Sequence, residues 1–259
     1  VSANWRVVVL AAGRGPQDPM AMAFGVAHKC TIPVLGVPML QRVLAALDAD
    51  VIDKPVLVSI DDATAGRRAA GPLHKTCTFI ASGISAPVSA KAAVQTAAHY
   101  PVLVTTGDHP LLTREMVVDF LSRSQASAAD FAVGLARAET ILAKYPDTHR
   151  TFFKLGQDRV SGCNLFAVMN EKGLSVFDIW HDLEKNRKKP WKLVAAFGIG
   201  PLLSFLLGRL TLAGAFEQMS QRLGFTIKAV LMPFAEAAID VDKPQDHALA
   251  ERILRARTS

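Results

Sequence analysis

Leu10-Ala11-Ala12-Gly13-Arg14-Gly15 sets two glycines and an arginine directly behind an unbroken apolar run, Val7-Val8-Val9. A continuous apolar run reads as a buried parallel strand. Glycine lets backbone N–H groups approach a ligand closely. Successive N–H groups in such a turn make a concave anion site, and Arg14 adds a guanidinium suited to phosphate oxygens. A strand running straight into this loop reads as the phosphate end of a nucleotide site. Neither common glycine signature is present. There is no GxxxxGK[ST], and in the GxGxxG register Pro16 and Asp18 stand where the helix should begin. The plain alternative is a tight turn between strand and helix with incidental basic residues.

Further segments follow in a fixed order. His28-Lys29 precedes Ile32-Pro33-Val34-Leu35-Gly36-Val37-Pro38-Met39-Leu40. Val102-Leu-Val-Thr-Thr-Gly107-Asp108-His109-Pro110-Leu111-Leu112-Thr113 places an aspartate just beyond a second apolar strand. Ala238-Ile239-Asp240-Val241-Asp242-Lys243-Pro244-Gln245-Asp246 precedes a last helix. Together these resemble the nucleotidyltransferases with a MobA-like, or sugar-nucleotide pyrophosphorylase-like, fold. The pattern there is L-A-A-G-x-G, a variable loop, a lysine, G-x-P-(L/M), then D-x-P-L-(L/I)-(T/S), and a closing (D/N)-(I/V)-(D/N)-T-P-E-D-L. The chain departs from it in three places. Arg14 comes earlier than the arginine of many members, the loop Pro16–Ala27 is longer, and Lys243 replaces a threonine.

The resemblance implies Mg²⁺-dependent transfer of a nucleoside monophosphate from an NTP to a phosphorylated small molecule, with release of pyrophosphate. Arg14, Lys29 and Asp108 are then the catalytic residues. The nucleotide is held by Leu10, Ala11, Ala12, Gly13, Arg14, Gly15, Lys29 and Asp108. Ser82, Gly83 and Ser89 are the base-side candidates, because small residues let a flat base lie against backbone. Mg²⁺ is a hard cation that takes one or two carboxylates plus phosphate oxygens, which suits Asp108. Asp108 as a simple cap of the following helix is the structural alternative. Alternation puts Asp240 and Asp242 on one face of a strand end, and either completes the metal site; Asp240 is favoured, with Asp242 as rival. His109 is expected to be exposed near the site. Asp246 is read as structural, offsetting the dipole of the last helix.

The elements that must position these residues alternate. Strands are expected at Val7–Ala11, Pro55–Ile60 (ending at Asp61-Asp62), Thr78–Ala81, Pro101–Thr106 and Phe131–Ala136. Helices are expected at Met39–Leu47, Ser89–Ala98 with Ser89 as N-cap, and Thr113–Ser122 with a Thr-first capping signal. This order implies an α/β fold: a Rossmann-like, three-layer, mostly parallel sheet with helices on both faces, and ligands at the carboxyl ends of the strands. One domain over residues 1–259 is expected, with a helical insertion at about 170–222 on the acceptor side.

That middle region carries the acceptor candidates. Asn164, in Arg159–Val168, resembles an acceptor-lining segment of sugar-phosphate relatives, against the alternative of a turn asparagine before a strand. Arg187, Lys188, Lys189 and Lys192 either bind an acceptor phosphate or form a solvated face. The apolar tract Leu193–Phe216 is broken by Gly198, Gly200, Pro201, Gly208 and Arg209. It reads as short helices, Trp191–Ala196, Pro201–Leu207 and one from Thr211. These would cover the site, form a homodimer surface or touch a membrane, in that order of expectation.

Half the residues are hydrophobic and the net charge is +6, which suits anionic substrates. Basic and aromatic residues are not interleaved as in a nucleic-acid platform. Cys30, Cys77 and Cys163 are too widely spaced for a metal cluster and odd in number, so reduced thiols in a cytoplasmic protein are expected. A nucleotide-binding regulatory module of the same fold without turnover is the alternative function. An NAD-dependent dehydrogenase ranks third, since the GxGxxG register fails.

Overall fold

The structure is a computed structural model that describes residues 4–13, 15, 17–186 and 210–258. Its central sheet is built on three apolar strands. β1 (Arg6–Leu10) pairs in parallel with β4 (Val56–Ile60) on one side and β6 (Val102–Thr106) on the other. All five residues of β4 and the first four of β6 are buried, as expected of strands covered on both faces. β5 (Cys77–Ala81) extends the parallel set beyond β4. On the far side lies the long strand β9 (Asp158–Val168), antiparallel to β6 and to β7 (Phe131–Arg137). β10 (Ile227–Leu231) closes that edge parallel to β7, and β8 (Phe153–Leu155) pairs with β9. The order is β10-β7-β9-β6-β1-β4-β5. A separate two-stranded hairpin, β2 (Pro33–Val34) and β3 (Val37–Pro38), carries the G-x-P segment.

Helices cover both faces. One core packs α2 (Met39–Ala46), α3 (Ala63–Ala70) and α5 (Arg114–Ala126) through Leu40, Val43, Ala69, Met116 and Phe120. The other packs α4 (Ala86–Thr96) and α8 (Val176–Asn186) through Ala90, Val94 and Phe177. A third cluster joins α1 (Pro19–Ala23), the hairpin and α10 (Pro244–Thr258) through Met20, Val34, Ile239 and Ile253. The α/β class, the mostly parallel sheet and its strands stand where the sequence places them.

Several local expectations change. α4 begins three residues early, with Ser85 at the N-cap position and Pro87 in its first turn. Ser89 is therefore not a cap but a buried residue inside the helix. Proline early in a helix loses nothing, since its missing N–H would have no partner there. Residues 240–242 are not a strand end. A 3-10 turn at Ala235–Ala238 leads into extended coil, which runs directly into α10. Thr113 does cap α5, accepting from the Met116 N–H at 3.2 Å, but Met116 stands where a capping box has its glutamate.

The segment expected as an insertion contains, among the described residues, α7 (Glu171–Leu174), α8, and α9 (Leu212–Leu223) capped by Thr211. The expected helices Trp191–Ala196 and Pro201–Leu207 lie outside the described residues.

α7 is fixed by a close approach. A Cβ on Gly173 would lie 2.1 Å from the Asp130 carbonyl oxygen. The Asp130 carboxylate meanwhile accepts from the Thr226 N–H at 2.6 Å and from Asn170 Nδ2 at 2.7 Å. Backbone must move to admit even a methyl group. Gly173→Ala is expected to cost about 2 kcal/mol, within the usual range for overpacking. The cost should appear as a lower urea midpoint with unchanged slope; an unaltered midpoint would contradict this packing.

Candidate active site

β1 and β6 end level, with Leu10 opposite Thr106, so the loops after them lie side by side. The Gly107 N–H donates to the Leu10 carbonyl at 2.8 Å. A Cβ on Gly107 would sit 3.0 Å from the Ala11 Cβ, so glycine is what lets the two loops touch. Above them opens a cleft of about 530 Å³. Its floor is Leu10, Ala11, Ala12, Gly13, Lys29, Gly107 and Asp108; Gly83, Ser85 and Ser89 form one wall, and Asn164, Phe166, Trp180, Glu184 and Asp242 line the rest.

Lys29 is the centre of this floor. Its Nζ donates to Asp108 Oδ2 at 2.6 Å and to Asp242 Oδ1 at 2.9 Å. Burial alone would lower the lysine's pKa, but the two carboxylates outweigh it and hold the ammonium above its ordinary range. The segment bearing Asp242 is docked by backbone: the Val241 N–H donates to the Asp108 carbonyl at 2.9 Å. Oxygens of Asp108, Asp240 and Asp242 lie within 4.8 Å of one another. Asp108 Oδ1 is buried with no hydrogen-bond partner. A converging set of carboxylates with an orphaned oxygen fits a hard divalent cation.

The two closing aspartates have different surroundings. Asp242 is half exposed on the cleft wall. Asp240 is mostly buried, paired with Arg150 at 2.5 Å, and its Oδ2 accepts from Asn164 Nδ2 at 2.8 Å. Burial, and then the charge of Asp108, push the Asp240 carboxyl up. Asn164 is neither in a loop nor in a turn before the strand. It sits within β9 at φ +52°, where the register against β7 shifts between Val133 and Leu135. Such a bulge re-aims a side chain, here toward Asp240. His109, expected to be exposed, is only 1% exposed. Its Nε2 lies 3.2 Å from the Glu236 carbonyl, and burial pushes its pKa down, disfavouring the charged imidazolium.

The glycine loop is held in a way its sequence does not state. The Gly13 N–H donates to Asp61 Oδ1 at 2.9 Å. The same oxygen lies 2.9 Å from His28 Nε2, while His28 Nδ1 accepts from the Cys30 N–H at 3.1 Å. That last bond fixes the tautomer: Nε2 carries the proton and donates to Asp61. The amide expected to face an anion is thus committed to a carboxylate at the end of β4. Gly15 has φ +80°, and its carbonyl accepts from the Asp18 N–H at 3.1 Å. The Asp18 carboxylate caps α1, so the long loop is partly helical. On the opposite wall the Ser82 N–H continues the strand ladder to Ile60. Ser89 Oγ accepts from the Gly83 N–H and donates to the Ser85 carbonyl, each at 2.9 Å, which shapes the loop into a shelf.

Asp61, Arg150 and Trp180 carry no role in the sequence reading, and His28 enters it only as the neighbour of Lys29. Asp61 had a signal, being a carboxylate at the carboxyl end of a parallel strand like Asp108. Arg150 and Trp180 had none, since both come from segments without a motif. Arg14, Arg187, Lys188, Lys189 and Lys192 lie outside the described residues. The cysteines are free thiols. Burial pushes Cys30 up to about 12, and Cys163 higher still, so neither is poised as a nucleophile. No helix among the described residues is long and apolar enough to cross a membrane.

A family model described as MobA-like NTP transferase domain matches residues 7–172. No curated protein matches the chain. Among similar solved structures is a hypothetical transferase from Thermus thermophilus. It is 27% identical, with TM-score 0.73, covering 93% of this chain and 99% of that one. Two others share the fold. CMP:2-keto-3-deoxy-manno-octonic acid synthetase complexed with CTP is 13% identical with TM-score 0.60, covering 98% of this chain and 100% of that one. A 2-C-methyl-D-erythritol 4-phosphate cytidylyltransferase, also from Thermus thermophilus, is 19% identical with TM-score 0.52, covering 96% of this chain and 98% of that one.

The Asp61 contacts give a pH signature. Burial would raise its pKa, but hydrogen bonds from His28 and the Gly13 amide outweigh it and lower it. A carboxylate depressed in the folded state stabilises the fold above its unfolded pKa of about 3.9, and that contribution is lost as pH falls through the lower folded value. Asp61→Asn should therefore be less stable than the parent at pH 7, by under about 1 kcal/mol because the group is well exposed. The gap should close below about pH 4 in denaturant titrations. A gap that persists in acid would show that charge at Asp61 does not hold the loop.

Proposed function

The chain belongs to the MobA-like NTP transferase domain family and is a nucleotidyltransferase; from that premise we propose that it transfers a nucleoside monophosphate from an NTP to a phosphorylated small-molecule acceptor, with Mg²⁺ bound at Asp108 and Asp242. The observation that carries this reading is the convergence of Lys29, Asp108 and Asp242 on one point of the cleft floor. Cytidylyl transfer is in the printed name of one relative and CTP in that of another; for this chain the base stays open.

In this reading an oxygen of the acceptor phosphate attacks the α-phosphorus. The bond from the α-phosphorus to the bridging oxygen breaks, and pyrophosphate leaves with that electron pair. No covalent enzyme intermediate is needed, consistent with thiols whose pKa burial pushes up. Catalysis is then positioning and charge stabilisation. Bound Mg²⁺ would neutralise phosphate charge as it develops. Lys29 reaches the phosphates from the same floor, and Arg14 belongs to the same loop. Asp61 and His28 hold Gly13 so that the loop backbone keeps one shape. The base lies along the Gly83–Ser89 shelf. The acceptor enters from the side of Asn164, Phe166 and Trp180, the last two with ring centroids 5.8 Å apart. Asp240 acts through others: with Arg150 and Asn164 it backs the metal ligands.

The test is pyrophosphate release with each of four NTPs over a panel of phosphorylated acceptors, with and without Mg²⁺. Turnover should need one NTP, one acceptor and the metal together. Asp108→Asn should remove metal-dependent turnover and leave the fold intact. Lys29→Ala should raise the barrier by about 2–4 kcal/mol, the usual loss for one preorganised charge donor. It should act on kcat more than on the KM for NTP, because the departing pyrophosphate gains charge. Near-parental rates in Asp108→Asn would refute the metal assignment, and a silent panel would refute the transfer itself.

A further inference from the structure

Lys29 Nζ stands within hydrogen-bond distance of Asp108 Oδ2 and Asp242 Oδ1 at once, at 2.6 and 2.9 Å. These two carboxylates belong to the trio whose oxygens converge within 4.8 Å. A divalent ion bound by the same two oxygens, at the roughly 2.1 Å that Mg²⁺ requires, would have to occupy the space the ammonium now fills. The two centres would nearly coincide, and an ion shifted onto the unpartnered Asp108 Oδ1 would still meet the repulsion of the adjacent ammonium. We propose that Lys29 is a built-in counterion that holds the cation position closed until the phosphates of a nucleotide draw it off, so that metal and nucleotide bind as a linked pair. The inference rests on the assignment of Asp108 and Asp242 as metal ligands.

The surroundings supply the reasons. Lys29 is mostly buried, so its ammonium cannot simply turn to water when a metal arrives; it needs another anion. A triphosphate on the adjacent glycine loop would be such an anion, since Gly13 and Lys29 line the same cleft. The lysine stem has the rotatable bonds to swing from carboxylate to phosphate. The phosphates also complete the metal's oxygen shell, which two carboxylates alone cannot do. By linkage, the factor by which nucleotide strengthens metal binding equals the factor by which metal strengthens nucleotide binding. A chain built this way keeps Asp108 compensated when empty and does not accumulate bare metal.

The experiment is Mn²⁺ binding to the whole protein without nucleotide, followed by electron paramagnetic resonance of the free ion, for the parent, Lys29→Met and Lys29→Gln. Both variants are expected to bind Mn²⁺ roughly tenfold more tightly than the parent, a modest coupling for two ligands that compete for one site. Asp108→Asn placed on top of Lys29→Met should abolish that gain. Parental or weaker Mn²⁺ affinity in both lysine variants, with Asp108→Asn alone still weakening the parent, would overturn the counterion role and leave the metal site standing. A gain that survives Asp108→Asn would place the ion elsewhere, and would overturn the metal assignment and this inference together. Thermal melts of each variant in the same buffer identify any loss of fold, and the Gln variant keeps a hydrogen-bonding group should Met unfold the loop.

Discussion

One ammonium between two carboxylates closes this molecule. Lys29 and Asp242 are 213 residues apart in sequence, and Asp108 lies between them at the end of a central strand. The contact therefore joins the first loop, the middle of the sheet and the closing segment at one point. The Val241 N–H bond to the Asp108 carbonyl seals the same junction through backbone. A buried ion pair is weak evidence of stability, because desolvation offsets much of its attraction, yet removing one member leaves the other charge stranded. The junction is thus better understood as fixing geometry. It sets the mutual positions of three segments that no single element could hold.

The charge balance around that junction explains why a chain of net charge +6 needs acid at its centre. Asp108, Asp240 and Asp242 face Lys29 and Arg150. The local excess of carboxylate favours a divalent cation where the trio converges. Burial and the neighbouring carboxylate oppose ionisation of Asp240; the Arg150 ion pair and the Asn164 hydrogen bond favour it. Burial disfavours charge on His109 beside the group, and Asp108 Oδ1 is left without a partner.

The apolar runs at Val7–Val9, Val56–Ile60 and Val102–Thr106 made the parallel sheet legible, because they are short, rich in valine and bounded by turn residues, as strands buried on both faces are. Lys29, Asp108, Asp240 and Asp242 could be singled out in the sequence because each lies in one of the segments that carry the resemblance, and the structure brings them to one place. What stayed hidden depends on contacts between distant segments. Nothing in the Arg150 sequence context points to Asp240, and the tilt of Asn164 follows from a register shift between two strands. Ser89 misled for a local reason. Serine before a helical stretch is a good cap, but Pro87 allows the helix to begin one turn sooner, and the hydroxyl then serves the Gly83 loop from within. His109 misled because a polar residue beside a turn is usually wet, and here the 3-10 turn at Ala235–Ala238 covers it.

The walls of the cleft are tied together by contacts separate from the Lys29 junction. The Gly83–Ser89 shelf and the far wall are fastened to each other as well as to the sheet. Lys91 Nζ on α4 meets Asp178 Oδ1 on α8 at 2.6 Å, and Ser85 Oγ lies 3.4 Å from His181 Nδ1. Phe177 on the buried side of α8 anchors the helix on the sheet, while Trp180 and Glu184, one and two turns on, look into the cleft. The surface ion pair is worth little by itself; the aromatic packing of Phe131, Phe166, Phe177 and Trp180 sets the position of the wall. Residues on α8 can therefore vary where they face the cleft, provided its aromatic face stays. The junction of Lys29, Asp108 and Asp242 belongs to other elements and would not register the change.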